Sequence, residues 1–340
     1  RQGMKLVCAM LLGFVLDLIF GDPHGLVHPV QIIGWFIDKL KKGMQYLIYG
    51  CSYEEVKEKG IERKAGMEKA AGFFLMLFIV AGTYAVIYGI LYVAGMIHPL
   101  LRFCLETFFI YQILATKSLK KESMKVYKKL KEGDLLGARK EVSYLVGRDT
   151  ENLDESEVAK ADVETIAENT ADGVIAPMLF IALGGAPLGF AYKAVNTLDS
   201  MVAYRNDELI HIGFFSAKMD DICNFVPARF AAVMMMLAAF FLRFDFKGAV
   251  RIFKRDRFAH LSPNSAQTEA VAAGALQIQL GGTHNYFGKA VVKPTIGDAI
   301  RPVEYEDIKR TNQLLYVSAF LSMAVCTLIT FLIYVQLFNV

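Results

Sequence analysis

Two stretches without a single charge constrain this chain more than anything else in it. No Asp, Glu, Lys or Arg occurs between Lys69 and Arg102, and none follows Arg310. Each stretch exceeds the roughly 20 apolar residues that cross a bilayer as a helix. Within lipid the backbone must satisfy its own hydrogen bonds, so such runs are helical. The composition agrees, at 54% hydrophobic against 21% charged. The expected class is an all-α polytopic membrane protein, a helical bundle with broken or re-entrant segments and cytoplasmic helical loops.

Charge sorts the loops. Regions of about 38–69, 117–172 and 243–312 are rich in Lys and Arg, and the positive-inside rule places them in the cytoplasm. Residues 4–20, 70–97, 100–116 and the apolar tail after Arg310 are the four firm spans, with both termini outside. Residues 173–192 are uncharged but interrupted by Pro177, Gly184-Gly185 and Pro187, and residues 230–242 are short. Both are read as broken or re-entrant, which keeps the polar run between them on the inner side. No repeat or linker divides the chain, so residues 4–340 form one membrane domain. Residues 1–3, ahead of Met4, read as a cloning remnant.

Other classes are excluded. A net charge of +3 without a basic, aromatic-interleaved stripe gives no nucleic-acid surface. The five cysteines show neither CxxC nor metal spacing, and Cys8, Cys104 and Cys326 read as small core residues. No Walker A, GxSxG or HExxH signature is present. The basic helix over 118–130 suits either the anionic inner leaflet or solvent. Arg102 and Glu106, four apart, suit an ion pair.

Polar residues beside apolar sequence carry the chemistry, because a membrane protein keeps them only where they face an interior. On a helix over 155–172, Glu157, Glu164, Glu168 and Asp172 share an arc of about 80° at 100° per residue. Only Lys160 is near enough to balance them, so the stripe suits a cation or a basic partner better than plain solvent. Carboxylates at Glu164, Glu168, Asp172, Asp220 and Asp221 suit Mg²⁺, which takes oxygen ligands and bridges to phosphate. Arg148, Lys193 and Arg229 suit anionic oxygens. His260, Ser262, Asn264, Ser265 and Glu269 gather at the start of a helix over 266–280 that Gly281-Gly282 would cap, and a helix start suits phosphate. Asp17 interrupts the first span, and Asp22, His24 and His28 follow it. His24 and His28 are four apart, but Pro23 and Pro29 favour a structural or substrate-facing loop over a metal site. From these residues alone the choice lies between a membrane enzyme using Mg²⁺ with phosphate and a transporter with an acidic cavity.

Six runs in order resemble one family. They are GDPHGLVHPVQIIG, VGRDT, ADVETIAENTADGVIAP, YKAVNTLDSM, AKMDDICNFVPAR and SPNSAQTEAVAAGALQIQLGG. They are similar to the adenosylcobinamide-phosphate synthases of cobalamin biosynthesis, with Ala266 where the family leads one to expect Gly. The resemblance implies an enzyme of a prokaryotic cytoplasmic (inner) membrane with its site on the cytoplasmic side. It would join aminopropanol phosphate, or ethanolamine phosphate, to adenosylcobyric acid with ATP and Mg²⁺. The corrinoid is then substrate, membrane lipid the surroundings, and other late enzymes of the pathway possible partners. The resemblance assigns Glu164, Glu168, Asp172, Asp220 and Asp221 to Mg²⁺ and ATP, one of them serving as base. It assigns Arg148, Lys193 and Arg229 to phosphoryl oxygens. Asn169, Asn196 and Asp199 would orient carboxyl or amine, and Ser262, Asn264 and Ser265 would hold a phosphate. Glu269, Asp22 and His28 complete the expected substrate-binding set. The rival classes are a transporter, and a non-catalytic membrane sensor of the same superfamily.

Overall fold

A computed structural model describes residues 2–22, 28–203, 208–286 and 289–338. The elements run α1 (Gln2–Phe20), α2 (Pro29–Tyr49), α3 (Tyr53–Glu58), α4 (Ala65–Ile97), α5 (Pro99–Ile113), α6 (Thr116–Lys131), α7 (Leu135–Ser143) and α8 (Glu155–Asn169). A π-helical turn, Thr170–Ile175, leads into α9 (Ala176–Val202), α10 (Phe214–Cys223), α11 (Phe225–Phe241), α12 (Phe246–Asp256) and α13 (Ser265–Leu276). Then come β1 (Leu280–Tyr286), β2 (Lys289–Ile296) and the long α14 (Glu306–Phe338). The chain is a helical, multi-pass membrane protein, as its charge-free runs predict.

Among the described residues four helices are long and apolar enough to cross a membrane, at Gly3–Phe20, Ala65–Ile97, Glu155–Val202 and Glu306–Tyr334. A fifth arises if α10 and α11, bent by 44°, count as one. This membership differs from the expected four, because 155–202 replaces 100–116. α5 has 15 residues, about 22 Å at 1.5 Å per residue, which is short of the ~30 Å hydrocarbon core. It nevertheless runs parallel to α1. Lys5 and Arg102 line one cavity at one end, and Asp17 accepts from the Thr116 amide at 3.0 Å at the other.

The segment 155–202 does not cross straight. Gly184 (φ −148°) and Gly185 (φ +66°) break the helix. Phe180 stacks on Tyr192 with ring centroids 4.8 Å apart. The Tyr192 hydroxyl donates to the Asp172 carbonyl, 20 residues earlier, at 3.0 Å; a straight helix would separate those residues by about 30 Å. The chain therefore enters, turns at Gly184-Gly185 and leaves on the side it came from. That is the re-entrant element expected of residues 173–192.

The turn has its own cap. Glu106 accepts the Ala186 backbone N–H, an orphan donor of the second half-helix. The expected pairing with Arg102 is absent; among the described residues no ion pair joins the two. A Cβ on Gly185 would lie 2.6 Å from Glu106 Oε1, at a left-handed φ. Gly185→Ala should destabilise the protein by about 1–2 kcal/mol from the backbone alone, read as a lower thermal midpoint in detergent. An unchanged midpoint would sink this account of the turn.

Other expectations shift. All twelve residues of α13 are buried, wedged between α11, α12 and α8. A Cβ on Gly274 would strike the Gly248 backbone at 2.4 Å, so the small residues serve close helix packing. α13 ends at Leu276 with Gln277 left-handed (φ 60°), earlier than expected. Gly281 and Gly282 do not cap it but open β1, at a register irregularity before Thr283 pairs with Val292. α6 buries Ser123, Val126, Tyr127 and Leu130 against α7, α8 and α14, so its apolar face is covered by protein and not by lipid. Cys326 is buried, whereas Cys8 and Cys104 are exposed; the latter two are small outward residues of apolar helices, not core.

Candidate active site

The acidic helix begins with a capping box. Asp154 accepts from the Glu157 amide at 2.8 Å, and Glu157 accepts from the Asp154 amide at 2.9 Å. Glu157 is thereby spent at the exposed helix start and leaves the stripe. Beyond Asn169 the π turn changes the angular step, so Asp172 no longer follows the 100° count.

Two further stripe residues are tied to other segments. Glu164, with 10% of its side chain exposed, pairs with Arg148 and accepts the Gly281 amide at 2.7 Å. Arg148 Nη1 also lies 2.9 Å from His284 Nδ1 on β1. Arg148 and Glu164 thus clamp the β-hairpin onto α8. The sequence reading gave Arg148 to phosphoryl oxygens and Glu164 to Mg²⁺; here each is engaged by the other, and Glu164 also by the hairpin. Glu168 accepts from Ser265 Oγ at 2.7 Å, joining α8 to the first residue of α13.

The re-entrant hairpin and the α10–α11 bend bring the rest to the same end of the bundle. Asp172 is within electrostatic reach of Asp220, Glu168, Asp199 and Lys193. The Asn196 and Asn224 amides stand beside Asp220, yet its buried Oδ1 has no hydrogen-bond partner. The Tyr192 oxygen also lies 2.8 Å from Asn224 Oδ1, so its single proton is shared between that oxygen and the Asp172 carbonyl, fixing the bend against α9. Asp221 pairs loosely with Lys218 at 3.6 Å, and its carbonyl accepts from Asn264 Nδ2 at 2.9 Å. Arg229 lies over the Phe225 ring, 3.6 Å from its centroid, and donates to Asn264 Oδ1 at 3.3 Å. Ser262 Oγ accepts the Asn264 amide at 3.3 Å. Asn264 occupies the cap position of α13 without a side-chain cap bond, because its amide is used across the site instead. Asn169 turns back to the Thr165 carbonyl at 3.0 Å and so serves its own helix.

Glu269, 4% exposed, sits behind this face. Burial first, then Glu164 and Glu168, push its carboxyl well above the ordinary range. Its carboxyl is enclosed by the protein and does not open onto this face. Asp22 and His28 lie further along, in a cavity of about 480 Å³ that Lys193 also lines. His28 accepts the Val30 amide at 3.2 Å, and its Nε2 is 2.9 Å from the Gln112 carbonyl. Both ring nitrogens are engaged, which argues against a metal; His24 lies outside the described residues. Lys193, in reach of both Asp22 and Asp172, connects this cavity to the carboxylates.

These polar residues all fall within a stretch that has relatives. The model of a family described as "CobD/Cbib protein" matches residues 10–315. The chain belongs to this family. It is 48% identical over 320 residues, covering 94% of this chain and 96% of the relative, to the "Cobalamin biosynthesis protein CobD" of Clostridium perfringens (strain 13 / Type A). The protein of the same name from Streptococcus sanguinis (strain SK36) is 45% identical over 94% of this chain and 96% of its own. The "Cobalamin biosynthesis protein CbiB" of Salmonella choleraesuis (strain SC-B67) is 42% identical over the same shares. No solved structure matches the chain.

Within this CobD/CbiB chain, the fit of Mg²⁺ can be tested on geometry. Among the described residues no three His, Cys, Asp or Glu lie close enough to enclose a metal ion. Mg²⁺ commonly takes only one or two carboxylates and completes its shell with phosphate oxygens and water. The unpartnered Asp220 Oδ1 beside Asp172 and Asp199 fits that pattern. The closed Glu164 does not.

Several contributors escape the sequence reading. Tyr192 and Asn224 order the bend, whereas Lys160, read from sequence beside the acidic stripe, does stand in reach of Glu164 and Arg148. His284 is a latch whose signal is weak, a lone His in GGTHNY. Burial first, and then the adjacent Arg148 guanidinium, pull its imidazole from 6.5 down to about 4. The unfolded chain takes up this proton first as pH falls, so stability should decline between about pH 6.5 and about 4. Thermal midpoints across that window should fall less steeply in His284→Gln; parallel curves would sink the latch.

Proposed function

We propose that this protein is an ATP-dependent amide ligase of cobalamin biosynthesis, joining aminopropanol phosphate, or ethanolamine phosphate, to a carboxyl of adenosylcobyric acid. The observation that carries this reading is the meeting of Glu168, Asp172, Asn196, Asp199, Asp220, Arg229, Asn264 and Ser265 at one end of the bundle. Names borne by relatives at 42–48% identity support the pathway.

A carboxylate is a poor acyl donor. In the proposed reaction its oxygen attacks the γ-phosphorus of ATP, the P–O bond to ADP breaks, and an acyl phosphate forms. The amine nitrogen then attacks the acyl carbon, the C–O bond breaks, phosphate leaves, and a base takes the proton that nitrogen sheds. Asp220, with its unpartnered oxygen, suits that base or a metal-binding role. Mg²⁺, held by Asp220 with Asp172 or Asp199, would neutralise phosphate charge. Arg229, flattened against Phe225 and set by Asn264, would face phosphoryl oxygens. Asn196 orients Asp220, and the Asp22–His28–Lys193 cavity takes a small anionic substrate. Arg148 acts from behind, as a positioning residue. This end of the bundle would face the cytoplasm, where ATP is found.

Corrinoid labelled with ¹⁸O in the reacting carboxyl should deliver one ¹⁸O to inorganic phosphate per amide formed. Label appearing in AMP, or in neither nucleotide nor phosphate, would overturn the acyl-phosphate route.

A further inference from the structure

Away from the active site, α11 and α12 form an antiparallel pair with a groove between them. The groove encloses about 450 Å³, inside the ~300–1,000 Å³ range of small-ligand sites. Its floor is apolar, built from Val233, Leu237, Phe246 and Phe253, and its rim carries Lys254 and Arg257. The apolar residues remain partly open, with Val233 44% and Leu237 39% exposed. They continue onto Phe240 and Phe241, at 60% and 62%. α11 itself packs on the first turns of α14 through Ala238, Ala239 and Leu314, which sets the groove at the edge of the apolar bundle.

The cations divide into two kinds. Arg251 and Arg255 are held by Asp298 at 2.7 Å each, and Arg255 also by Asp256. Lys254 and Arg257 have no carboxylate partner among the described residues. Arg257 lies against the Phe253 and Phe258 rings, 5.3 and 4.8 Å from their centroids, and so keeps its charge at the groove mouth. It is also within electrostatic reach of Arg229, another cation, so positive charge gathers at this end of the groove. The other end, at Phe246 and Phe240, whose rings meet at 5.8 Å, is wholly apolar. Charge at one end and hydrocarbon at the other match a single amphiphile lying along the helix pair.

We propose that the α11–α12 groove is a binding site for an anionic glycerophospholipid, its phosphate between Lys254 and Arg257 and one acyl chain over Val233 and Leu237. Bound there, the lipid braces the helix that carries Arg229. This inference is independent of the reaction proposed above.

Nanodiscs of phosphatidylcholine with one fifth phosphatidylglycerol supply the probe. Lipid retained by wild-type protein after mild detergent extraction, counted by native mass spectrometry, should be enriched in phosphatidylglycerol over its share in the disc. Expressed as the phosphatidylglycerol-to-phosphatidylcholine ratio relative to the 1:4 of the disc, the expected enrichment is between about fivefold and thirtyfold for two cations near a membrane surface. Lys254→Gln/Arg257→Gln, both at the groove rim, should bring the ratio near one while the protein stays monodisperse. Leu237→Gln, which leaves the charges in place, should lower total retained lipid. No enrichment in the wild type, or equal enrichment in the double variant, would overturn the site. So would displacement of the lipid by millimolar inorganic phosphate or ATP, since the groove would then be a free-anion site.

Discussion

Asp220→Asn should lower turnover by about 10²- to 10⁴-fold, the range for removing a positioned acid–base group, with little change in thermal midpoint. The substitution keeps the side-chain shape, and Asp220 Oδ1 makes no hydrogen bond that the fold relies on. Asn196 and Asn224 stand beside the carboxylate, and Tyr192 holds Asn224 in place at 2.8 Å. That is much machinery to aim an oxygen that has no internal partner. Loss of a metal ligand and loss of a base differ in how they respond to Mg²⁺: raising its concentration should restore part of the rate only in the first case. Activity within tenfold of wild type at ordinary Mg²⁺ would remove Asp220 from the reaction.

The second large effect is on stability. Arg148→Ala should destabilise the protein by about 3–5 kcal/mol, because it leaves Glu164 as an uncompensated charge in the interior. The Arg148 and Glu164 side chains are 7% and 10% exposed, and among the described residues the carboxylate's other hydrogen bond comes from the Gly281 amide at 2.7 Å. The loss should be concentrated in the β-hairpin, visible as faster hydrogen exchange over 280–296. Glu164→Gln in the same background should recover part of it, since a neutral amide needs no counter-charge. A midpoint unchanged in Arg148→Ala would show that the pair holds nothing together.

How far the sequence discloses this architecture depends on the scale of the signal. Charge-free runs the length of a bilayer are unmistakable, so the membrane class is legible from the interval between Lys69 and Arg102. The re-entrant turn is legible too, because Gly184-Gly185 and Pro187 cannot continue a helix. Residue pairing is harder to see. Glu164 and Glu168 stand four residues apart on one face of the same helix. One is neutralised by Arg148 while the other meets only Ser265. That difference comes from a hairpin more than a hundred residues away. The hairpin itself carried a sign in KAVVKPTI, with β-branched Val291, Val292, Thr295 and Ile296, which the Gly281-Gly282 pair masked by resembling a helix cap. The 100° count failed past Asn169 because a π turn inserts there, and no residue in TADGVI announces it. Glu106 shows the same limit: spacing pointed to Arg102, which stays within electrostatic reach without an ion-pair contact, and gave no sign of the Ala186 amide that the turn also brings to the carboxylate.

One measurement tests the central claim most directly. Purified protein in detergent is given adenosylcobyric acid, aminopropanol phosphate and Mg-ATP, and ADP is followed together with the mass of the corrinoid. The corrinoid should gain one amide-linked aminopropanol phosphate for each ADP released, and ADP should form only when all three substrates are present. ADP release that ignores the amine, or folded corrinoid-binding protein that forms neither product, would contradict the ligase.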